Sequence, residues 1–372
     1  MRVGCLKEIK SGEYRVGLTP ANARELIAAG HEVWIEKSAG EQVGFDDALY
    51  EQCGAKIIPH ADEIFKQAAL IVKVKEPQPD ECHKLRPDQV LFTYLHLAAD
   101  LNQTKLLQAS HCVAIGYETV TNRQHGLPLL APMSEVAGRL AIQAGARCLE
   151  IHYGGRGILL GGIPGVAPAK VLVIGGGVVG INAVRVAIGM GAQVIVLDKS
   201  LERLYDLDLR FGARIHTVLS TTDAIEKHIH DADLVIGAVL IPGASAPKLV
   251  TKAMLHNMRP GVVLVDVAID QGGCFETSRP TTHDKPTYIV NDVVHYCVTN
   301  MPSAAARTAT IALSNATFPY VLSLANLGYK KALKHSRYFL KGLNVYQGHI
   351  THPAVAKALN LPYTDPRTLL VD

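Results

Sequence analysis

The feature of the sequence that most constrains the fold is a glycine-rich segment that follows a continuous apolar run, Val171–Ile174. A short run that is apolar at every position is typical of a strand buried on both faces of a parallel sheet. Directly after it, a G-x-G-x-x-G frame is filled by Gly175, Gly177 and Gly180. A helical run, Ile181–Met190, comes next, so the whole segment predicts a strand–turn–helix unit.

Each of the three glycines has a place in a dinucleotide-binding turn. Gly175 allows the tight turn, Gly177 lets a pyrophosphate approach the backbone, and Gly180 lets the helix pack closely against the strand. The N-terminus of the helix then offers unpaired N–H groups and a partial positive charge to the phosphates. The alternative interpretation is a glycine-rich turn in an α/β domain that binds no nucleotide.

The residue that selects the cofactor is expected at the end of the next strand. A second apolar run, Val194–Leu197, leads to Asp198, which lies 18 residues after Gly180. A carboxylate at this point accepts hydrogen bonds from the ribose hydroxyls of adenosine and repels a 2′-phosphate. Lys199 and Arg203 weaken this preference without reversing it. We therefore expect the cofactor to be NAD rather than NADP.

The length of the chain and the order of its predicted elements indicate two domains. At 372 residues the chain exceeds the ~250–300 residues at which single cores stop growing. Short β-branched runs alternate with amphipathic stretches, a pattern typical of mostly parallel sheets covered by helices. Two long helical stretches, from Ser134 to about Glu150 and from Ser303 to about Ala325, flank the glycine-rich block.

These patterns predict an α/β fold with two Rossmann-like domains whose sheets are mostly parallel. The NAD-binding domain, residues 129–305, is expected to be inserted into a substrate domain made of residues 1–128 and 306–372. The two long helices are expected to join the domains. The other predicted elements are the strands Val33–Glu36, Leu70–Val74, Val90–Tyr94, Val113–Tyr117, Leu234–Ile236 and Val262–Val265, and the helices Pro20–Ala29 and Leu101–Ala109.

The composition argues against several classes of function. The 37 basic and 34 acidic residues nearly cancel to a net charge of +3, which gives no footprint for nucleic acid or an anionic membrane. The seven cysteines are widely spaced and form no CxxC, which favours reduced thiols in the core over a zinc site or disulfides. Without an apolar signal region or an apolar stretch of ~20 residues, the chain is expected to be cytoplasmic.

Two basic residues are candidates for holding a substrate carboxylate. Arg15 lies in the loop between a predicted strand and the helix that begins near Pro20, and its planar guanidinium matches a carboxylate in a bidentate fashion. Lys75 follows a strand, and the carboxyl ends of strands face the crevice where α/β folds bind ligands. For either residue taken alone, ordinary surface charge is the simpler explanation.

Three further residues are candidates for the chemistry or for local structure. His96 carries the side chain whose unperturbed pKa, ~6.5, suits proton exchange near neutrality, although a histidine between apolar residues is often a packed core residue. Asp270 precedes two glycines, where a carboxylate can polarise a water or an amine, or cap a turn. Ser303 is expected to be the N-cap of the second long helix.

Taken together, the segments around these residues resemble the alanine dehydrogenase family, which includes the nucleotide-binding part of pyridine nucleotide transhydrogenase. The resemblance covers nearly the whole chain and is most specific between Gly155 and Gly180. The other segments that carry it are Lys7–Lys10, Glu13–Pro20, Lys73–Pro77, Tyr94–Ala98, Ala131–Gly138, Asp266–Gly273 and Thr299–Ser303.

The resemblance implies the NAD-dependent oxidative deamination of L-alanine to pyruvate and ammonia, and the reverse reductive amination. Arg15 and Lys75 would bind the substrate, and His96 and Asp270 would be catalytic. The implied contacts with the dinucleotide are Ser134, Gly175, Gly177, Val178, Val179, Gly180, Asp198, Lys199, Arg203, Ser220, Val239, Leu240, Val267, Ile269, Asp270, Arg279, Val298, Asn300 and Met301.

The resemblance also implies a homo-hexamer. Some family members bind a divalent ion through a Glu and a His on the second long helix. Ser323 and Leu327 occupy the matching positions here, and neither is a good ligand, so no metal is expected.

Three alternative functions remain open at this point. A nucleotide-binding subunit of a transhydrogenase would have no need of Arg15, Lys75 and His96 as a set. A non-catalytic NAD-binding regulator would have no reason to retain His96 or Asp270. Another amino-acid dehydrogenase, such as a lysine-derived imine-forming type, would differ in its substrate.

Overall fold

The computed structural model describes residues 1–239 and 246–370 of the chain. These residues divide into two compact units, one formed by Met1–Met133 together with the residues from Ala305 onward, and the other by Ser134–Ala304. The predicted boundaries, after residues 128 and 305, lie close to these divisions. The chain leaves the first unit once, completes the second and then returns.

The N-terminal part of the first unit alternates strands and helices. Its strands are β1 (Arg2–Cys5), β2 (Glu32–Glu36), β3 (Lys56–Ile58), β4 (Leu70–Val72), β5 (Val90–Thr93) and β6 (Val113–Gly116). Its helices are α1 (Pro20–Ala28), α2 (Asp47–Gln52), α3 (Ala61–Gln67), α4 (Pro79–Cys82) and α5 (Leu101–Ser110).

The second unit is entered through the long helix α6 (Ala131–Cys148). Its strands are β7 (Lys170–Ile174), β8 (Gln193–Asp198), β9 (Ile215–Leu219), β10 (Leu234–Gly237), β11 (Val263–Asp266), β12 (Thr287–Val290) and β13 (Val293–Tyr296). Its further helices are α7 (Val178–Gly189), α8 (Leu201–Phe211), α9 (Thr222–Asp231) and α10 (Lys252–Leu255).

The chain returns to the first unit through the second long helix, α11 (Ala306–His335), whose backbone leaves helical geometry at Gly328 (φ 73°, ψ 158°). The remaining elements are α12 (Arg337–Leu340), β14 (Leu343–Tyr346), β15 (His349–Ile350), α13 (Pro353–Leu359) and α14 (Pro366–Leu369). The helix predicted from Ser303 therefore begins three residues later and extends beyond Ala325.

Both sheets have the strand order of a doubly wound α/β fold. Over the described residues, the first unit has the order β15-β14-β6-β5-β4-β1-β2-β3, in which β1 to β6 are parallel and β14 and β15 are antiparallel. In the same part of the chain, the second unit has the order β12-β13-β11-β10-β7-β8-β9, with β12 antiparallel at its edge. In each sheet six parallel strands follow the order 3-2-1-4-5-6, so the predicted fold class is confirmed.

The glycine-rich segment begins from a strand that is covered on both sides. Val171 and Val173 belong to one apolar cluster of the second unit, and Leu172 and Ile174 belong to another. Successive side chains of a strand point to opposite faces, so both faces of β7 are buried. This explains why the strand is apolar at every position.

Close backbone packing at Gly180 joins β7 to α7. A Cβ atom at Gly180 would lie 1.8 Å from the carbonyl oxygen of Gly175, a distance that no real contact allows. Gly175 has φ 104°, a conformation that residues with a Cβ rarely adopt. The turn is thus held in one shape by two positions that accept only glycine.

We predict that Gly180→Ala destabilises the second unit by about 3 kcal/mol, at the upper end of the ~1–3 kcal/mol that overpacking costs. The matched control is Gly189→Ala in the same helix, because a Cβ there would meet no atom within 4 Å. An alanine at that open helical site should leave stability unchanged or raise it by about 0.4–1 kcal/mol. Urea unfolding of both variants, followed by circular dichroism, tests this; equal stabilities of the two variants would contradict it.

Candidate active site

The candidate substrate residues of the first unit all lie beyond the carboxyl ends of strands in its sheet. Arg15 lies in the loop after β1, Lys75 follows β4, and His96 follows β5. β1 and β4 are neighbours in the sheet, and the chain winds in opposite directions from them. Ligands bind at such a switch point, outside the carboxyl ends of the strands. The topology therefore brings the three predicted residues to the edge where a ligand is expected.

Arg15 is a buried ion-pair partner rather than a surface charge. It is only 2% exposed, and Glu13 accepts hydrogen bonds from its Nε at 2.7 Å and its Nη2 at 2.5 Å. Nη1 lies 2.8 Å from the sulfur of Met133. Burial alone would lower the pKa of the guanidinium, but the hydrogen bonds and the charge of Glu13 raise it. The guanidinium is therefore fixed in orientation and charged.

The backbone that carries Lys75 is held from two sides. Glu8 accepts hydrogen bonds from the N–H of Val74 at 2.6 Å and of Lys75 at 3.3 Å. On the other side, the hydroxyl of Thr93 donates to the carbonyl of Lys75 at 2.8 Å. The Lys75 side chain is half-buried and has further interactions of its own. A fixed backbone restricts the positions that its ammonium can reach.

A buried cation holds Glu8 in place. Lys73 is fully buried, and its Nζ lies 3.2 Å from a carboxylate oxygen of Glu8 and 2.8 Å from one of Glu81. Burial opposes the charged form of Lys73, but the two carboxylates raise its pKa. Burial raises the pKa of Glu8, and the charge of Lys73 partly offsets this. This buried ion cluster therefore supports the backbone of Val74 and Lys75 through Glu8.

His96 is exposed, so it is not the packed core histidine that was the alternative. Its backbone has φ 52° and ψ 32°, in the left-handed region, and its N–H donates to Glu118 at 2.6 Å. Its ring stacks on Tyr94 with 5.7 Å between centroids and 11° between planes. The imidazole is therefore presented to solvent on a constrained backbone.

The glycine-rich turn of the second unit has the features that a dinucleotide pyrophosphate requires. A Cβ at Gly177 would meet no atom within 4 Å, so the space beside this backbone is open. No side chain of the described residues caps the N-terminus of α7, which begins at Val178. Its first N–H groups and its dipole are thus available to an anion. Val178 is exposed and Val179 is buried.

Asp198 closes this turn from the adjacent strand. Its Oδ2 accepts from the N–H of Gly176 at 2.7 Å, and its Oδ1 accepts from the N–H of Ser200 at 2.8 Å. Each carboxylate oxygen keeps a further lone pair for a ribose hydroxyl. Arg203 lies on α8 and pairs with Asp206 at 3.5 Å, and Lys199 is exposed. These residues fit a group with ribose hydroxyls beside the glycines.

The other predicted dinucleotide residues fall on several elements of the second unit. Ser220 donates its backbone N–H to the carbonyl of Asp198 at 2.9 Å, and Val267 donates to the carbonyl of Gly237 at 3.0 Å. Ser134 lies in the first turn of α6, Val239 follows β10, and Ile269, Val298 and Met301 are buried. Leu240 lies outside the described residues.

Asp270 is the exposed residue of a 3₁₀ turn, Ile269–Gln271, that follows β11. Its Oδ1 accepts from the backbone N–H of Asn300 at 3.3 Å, and Asn300 itself has φ 53°. The loop that carries Asp270 is tied down by Asp266, which accepts from the N–H of Ala268 at 3.0 Å and of Cys274 at 2.9 Å. The structure therefore brings Asp270 and Asn300 together.

The structure gives Ser303 a different role from the predicted one, and it places Arg279 against an aromatic ring. Ser303 is not an N-cap: its hydroxyl is buried and bonds to a ring nitrogen of His283 at 3.0 Å, and Ala305 precedes α11 instead. The physical reason is a short 3₁₀ segment, Met301–Ala305, which delays the start of the helix. Arg279 lies over the ring of Tyr288 at 4.2 Å, at the β12 side of the sheet.

The remaining sequence expectations concern metals, thiols and membranes. Across the described ranges, no group of three or more His, Cys, Asp or Glu side chains is arranged to hold a metal ion. All seven cysteines are free, and burial raises the pKa of Cys112 and Cys148 to about 11. None of the helices in the described part of the chain has the length and apolar character needed to cross a membrane.

The sequence interpretation missed the acidic residues that support the site. Glu8, Glu13, Glu118 and Asp266 all accept hydrogen bonds from residues that carry or flank the predicted site groups. Glu8, Glu13 and Asp266 stand inside the segments that carry the family resemblance, which was the one available signal. Glu118 stands outside them, and no pattern in the sequence points to it.

The comparisons with known proteins bear on this geometry. Residues 4–137 match the family described as "Alanine dehydrogenase/PNT, N-terminal domain", and residues 141–353 match "Alanine dehydrogenase/PNT, C-terminal domain". The chain belongs to the alanine dehydrogenase/PNT family.

Relatives within this family match over the full length. A protein of Halomonas elongata named "Alanine dehydrogenase" is 57% identical over 370 residues, with 100% of both chains covered. One of Mycobacterium tuberculosis H37Rv with the same name is 51% identical, also with 100% of both chains covered.

Among solved structures, one of "L-alanine dehydrogenase" has a TM-score of 0.94 at 51% identity and covers 97% of this chain and 99% of that one. A transhydrogenase of Sinorhizobium meliloti has a TM-score of 0.83 at 22% identity, covering 94% of this chain and 100% of that one, which shows a shared fold alone.

We predict that Lys73→Met destabilises the chain by about 3–5 kcal/mol at pH 7, because it leaves buried carboxylates without their cation. The matched control is Lys84→Met, since Lys84 pairs with Asp62 at 2.6 Å on the exposed surface. That substitution should change stability by less than ~1 kcal/mol. The measurement is the apparent free energy of unfolding in urea for both variants.

The deficit of Lys73→Met should shrink as the pH falls toward about 5. Burial already raises the pKa of Glu8, and loss of the Lys73 charge raises it further. A carboxyl whose pKa is higher in the folded state gains protons on folding, so it favours the folded state at low pH and opposes it as the pH rises. A deficit independent of pH would rule out this electrostatic explanation.

Proposed function

We propose that this chain catalyses the NAD-dependent oxidative deamination of L-alanine to pyruvate and ammonia, and the reverse reductive amination. The observation that carries the proposal is the full-length match, at 51–57% identity, to relatives named alanine dehydrogenase. The grouping of Arg15, Lys75 and His96 after adjacent strands of one sheet supports it independently. The cationic side chains of Arg15 and Lys75 can bind a carboxylate, and the imidazole of His96 can exchange a proton.

NAD is the proposed cofactor, and the second unit would hold it. Its pyrophosphate would lie at Gly177 and the N-terminus of α7, where the backbone is open and the helix has no side-chain cap. Asp198 would accept hydrogen bonds from the adenosine ribose, and its charge disfavours a 2′-phosphate. The residues that the resemblance implies, from Ser134 to Met301, complete the proposed binding surface. When bound, NAD accepts the hydride that leaves the α-carbon of the substrate.

Arg15 and Lys75 are the proposed substrate-binding residues. Because Glu13 already pairs with Arg15, the guanidinium is fixed before a substrate arrives, and little conformational entropy is lost on binding. Lys75 supplies a second positive charge, and Glu8 and Thr93 hold the backbone that carries it. Two cations from neighbouring loops orient the carboxylate, and their attraction for it is stronger where water is excluded.

His96 and Asp270 are the proposed catalytic residues. Oxidation of the amine leaves an iminium, and water adds to its carbon. The His96 imidazole accepts a proton from that water and returns it to the amino nitrogen. It then accepts the hydroxyl proton as ammonia leaves and the carbonyl of pyruvate forms. Asp270 aligns the water and stabilises the cationic intermediates through its charge.

The same proposal includes a homo-hexamer located in the cytoplasm, as the family resemblance implies. The nearly balanced charge of the chain supports small-molecule partners rather than nucleic acid or a membrane surface.

We predict that the purified chain oxidises NADH in the presence of pyruvate and ammonium, with no second nucleotide. A panel of 2-oxo acids should rank pyruvate first, with the next homologue slower by about 10- to 200-fold, since one methylene contributes ~1–3 kcal/mol of discrimination. His96→Ala should lower turnover by about 10²–10⁴-fold with NADH affinity preserved.

Each rival function gives a different result in these assays. Hydride transfer only between two dinucleotides would point to a transhydrogenase. NADH binding without turnover of any amino acid would point to a regulator. Turnover that the His96 substitution leaves unchanged would remove the role assigned to this residue.

We predict that Asp198→Ala weakens NADH binding by about 10- to 100-fold, because hydrogen bonds to a charged group contribute ~1.5–3 kcal/mol. The preference for NADH over NADPH should fall as well, because the repulsive charge is lost. Asp208→Ala, an exposed position on α8, is the matched control and should leave both affinities unchanged. Dinucleotide titration by protein fluorescence measures them; an unaltered NADH to NADPH ratio would contradict the role of Asp198.

A further inference from the structure

His96 has a backbone conformation that its own side chain does not favour. Its φ of 52° and ψ of 32° lie in the left-handed region, where a Cβ crowds the backbone. Such a conformation persists only where surrounding contacts impose it, and residues in such conformations cluster at functional sites. The contacts at His96 therefore indicate what holds the imidazole in place.

One carboxylate, that of Glu118, supplies backbone contacts at this point. Its Oε1 accepts from the N–H of His96 at 2.6 Å, and both of its oxygens lie 3.2 Å from the N–H of Leu95. Consecutive N–H groups that converge on one anion are a feature of residues in the left-handed conformation. The charge of Glu118 thus stabilises the backbone shape that His96 requires.

The sheet places Glu118 next to His96. β5 and β6 are parallel neighbours, and Thr93 is paired with Gly116 at the ends of these strands. Leu95 follows the end of β5 by two residues, and Glu118 follows the end of β6 by two residues. The short turn Tyr117–Thr119 that carries Glu118 is itself anchored, because the hydroxyl of Tyr117 donates to the carbonyl of Lys73 at 2.9 Å.

The ring of His96 has a partner on the same platform. It stacks on Tyr94, whose hydroxyl donates to the carbonyl of Leu129 at 2.6 Å and whose ring meets Tyr117 edge-on at 5.0 Å. The stack fixes the plane of the imidazole only if the backbone of His96 keeps its position. Glu118 fixes the backbone, and Tyr94 fixes the ring.

We propose that Glu118 is a positioning residue for His96, whose carboxylate holds the histidine backbone in the left-handed conformation from which the imidazole transfers protons. This rests on the proposed function, in which His96 is the acid and base. Glu118 does not touch the substrate in this assignment and acts only through His96. Its loss should therefore lower kcat and leave the binding of pyruvate and NADH intact.

The test compares Glu118→Ala and Glu118→Gln with wild type in the reductive amination assay. Glu118→Ala should lower kcat by about 10- to 100-fold, the loss typical of removing a residue that orients a metal-ligating side chain. Glu118→Gln retains an oxygen that accepts from both N–H groups, so its loss should be smaller, below about 10-fold. The KM for pyruvate and the Kd for NADH should stay within about twofold, since Arg15, Lys75 and the second unit are unchanged.

Thr119→Ala is the matched control. Its hydroxyl lies in the same turn and bonds to Gly116 and Asn344, not to His96, so kcat should be unchanged. The decisive readout is a double-mutant cycle with His96→Ala, in which Glu118→Ala should cause no further loss of kcat.

The outcomes separate the two proposals. An inactive wild-type enzyme overturns the proposed function. An active wild type with Glu118→Ala at the level of Thr119→Ala, or with a loss that persists in the His96→Ala background, overturns the positioning role alone. If Glu118→Ala does not fold, the same cycle with Glu118→Gln decides, because the glutamine keeps the shape of the side chain.

Discussion

Carboxylates that accept hydrogen bonds from backbone N–H groups hold the loops at the carboxyl edges of both sheets. Glu8 and Glu118 do so in the first unit, and Asp198 and Asp266 do so in the second. Hydrogen bonds to a charged acceptor are stronger than neutral ones, and partial burial strengthens them further. The predicted site residues stand on these loops, so their positions depend on groups that are not themselves reactive.

The parts of the fold that depend on local pattern were predictable from the sequence. The glycine frame after β7 and the acid at the end of β8 form a contiguous unit, and their spacing is set by one turn and one helix. The mostly parallel character of both sheets followed from the alternation of apolar runs with amphipathic stretches. The strand bounds shifted by only one or two residues, because buried strands end where apolar side chains end.

The parts that depend on distant partners were not predictable. Glu8 reaches Val74, which is 66 residues away, and Glu118 reaches His96 across 22 residues. Apart from the family resemblance of the segment around Glu8, nothing local distinguishes these glutamates from surface charges. The start of α11 was missed for a related reason, since the hydroxyl of Ser303 bonds to His283, 20 residues away, rather than capping the helix.

The position of the second unit within the chain has a consequence for synthesis on the ribosome. β6 lies in the N-terminal part of the first sheet, and its antiparallel partner β14 pairs Leu343 with Ile115. Some 230 residues must be translated between the two strands, which at ~5–20 residues per second takes roughly 10–50 s. During that interval β6 is an open sheet edge, and such edges invite pairing with other chains. The protein is thus most prone to aggregation while only its N-terminal segment has been synthesised. Its need for chaperones should be greatest before its C-terminal strands emerge from the ribosome.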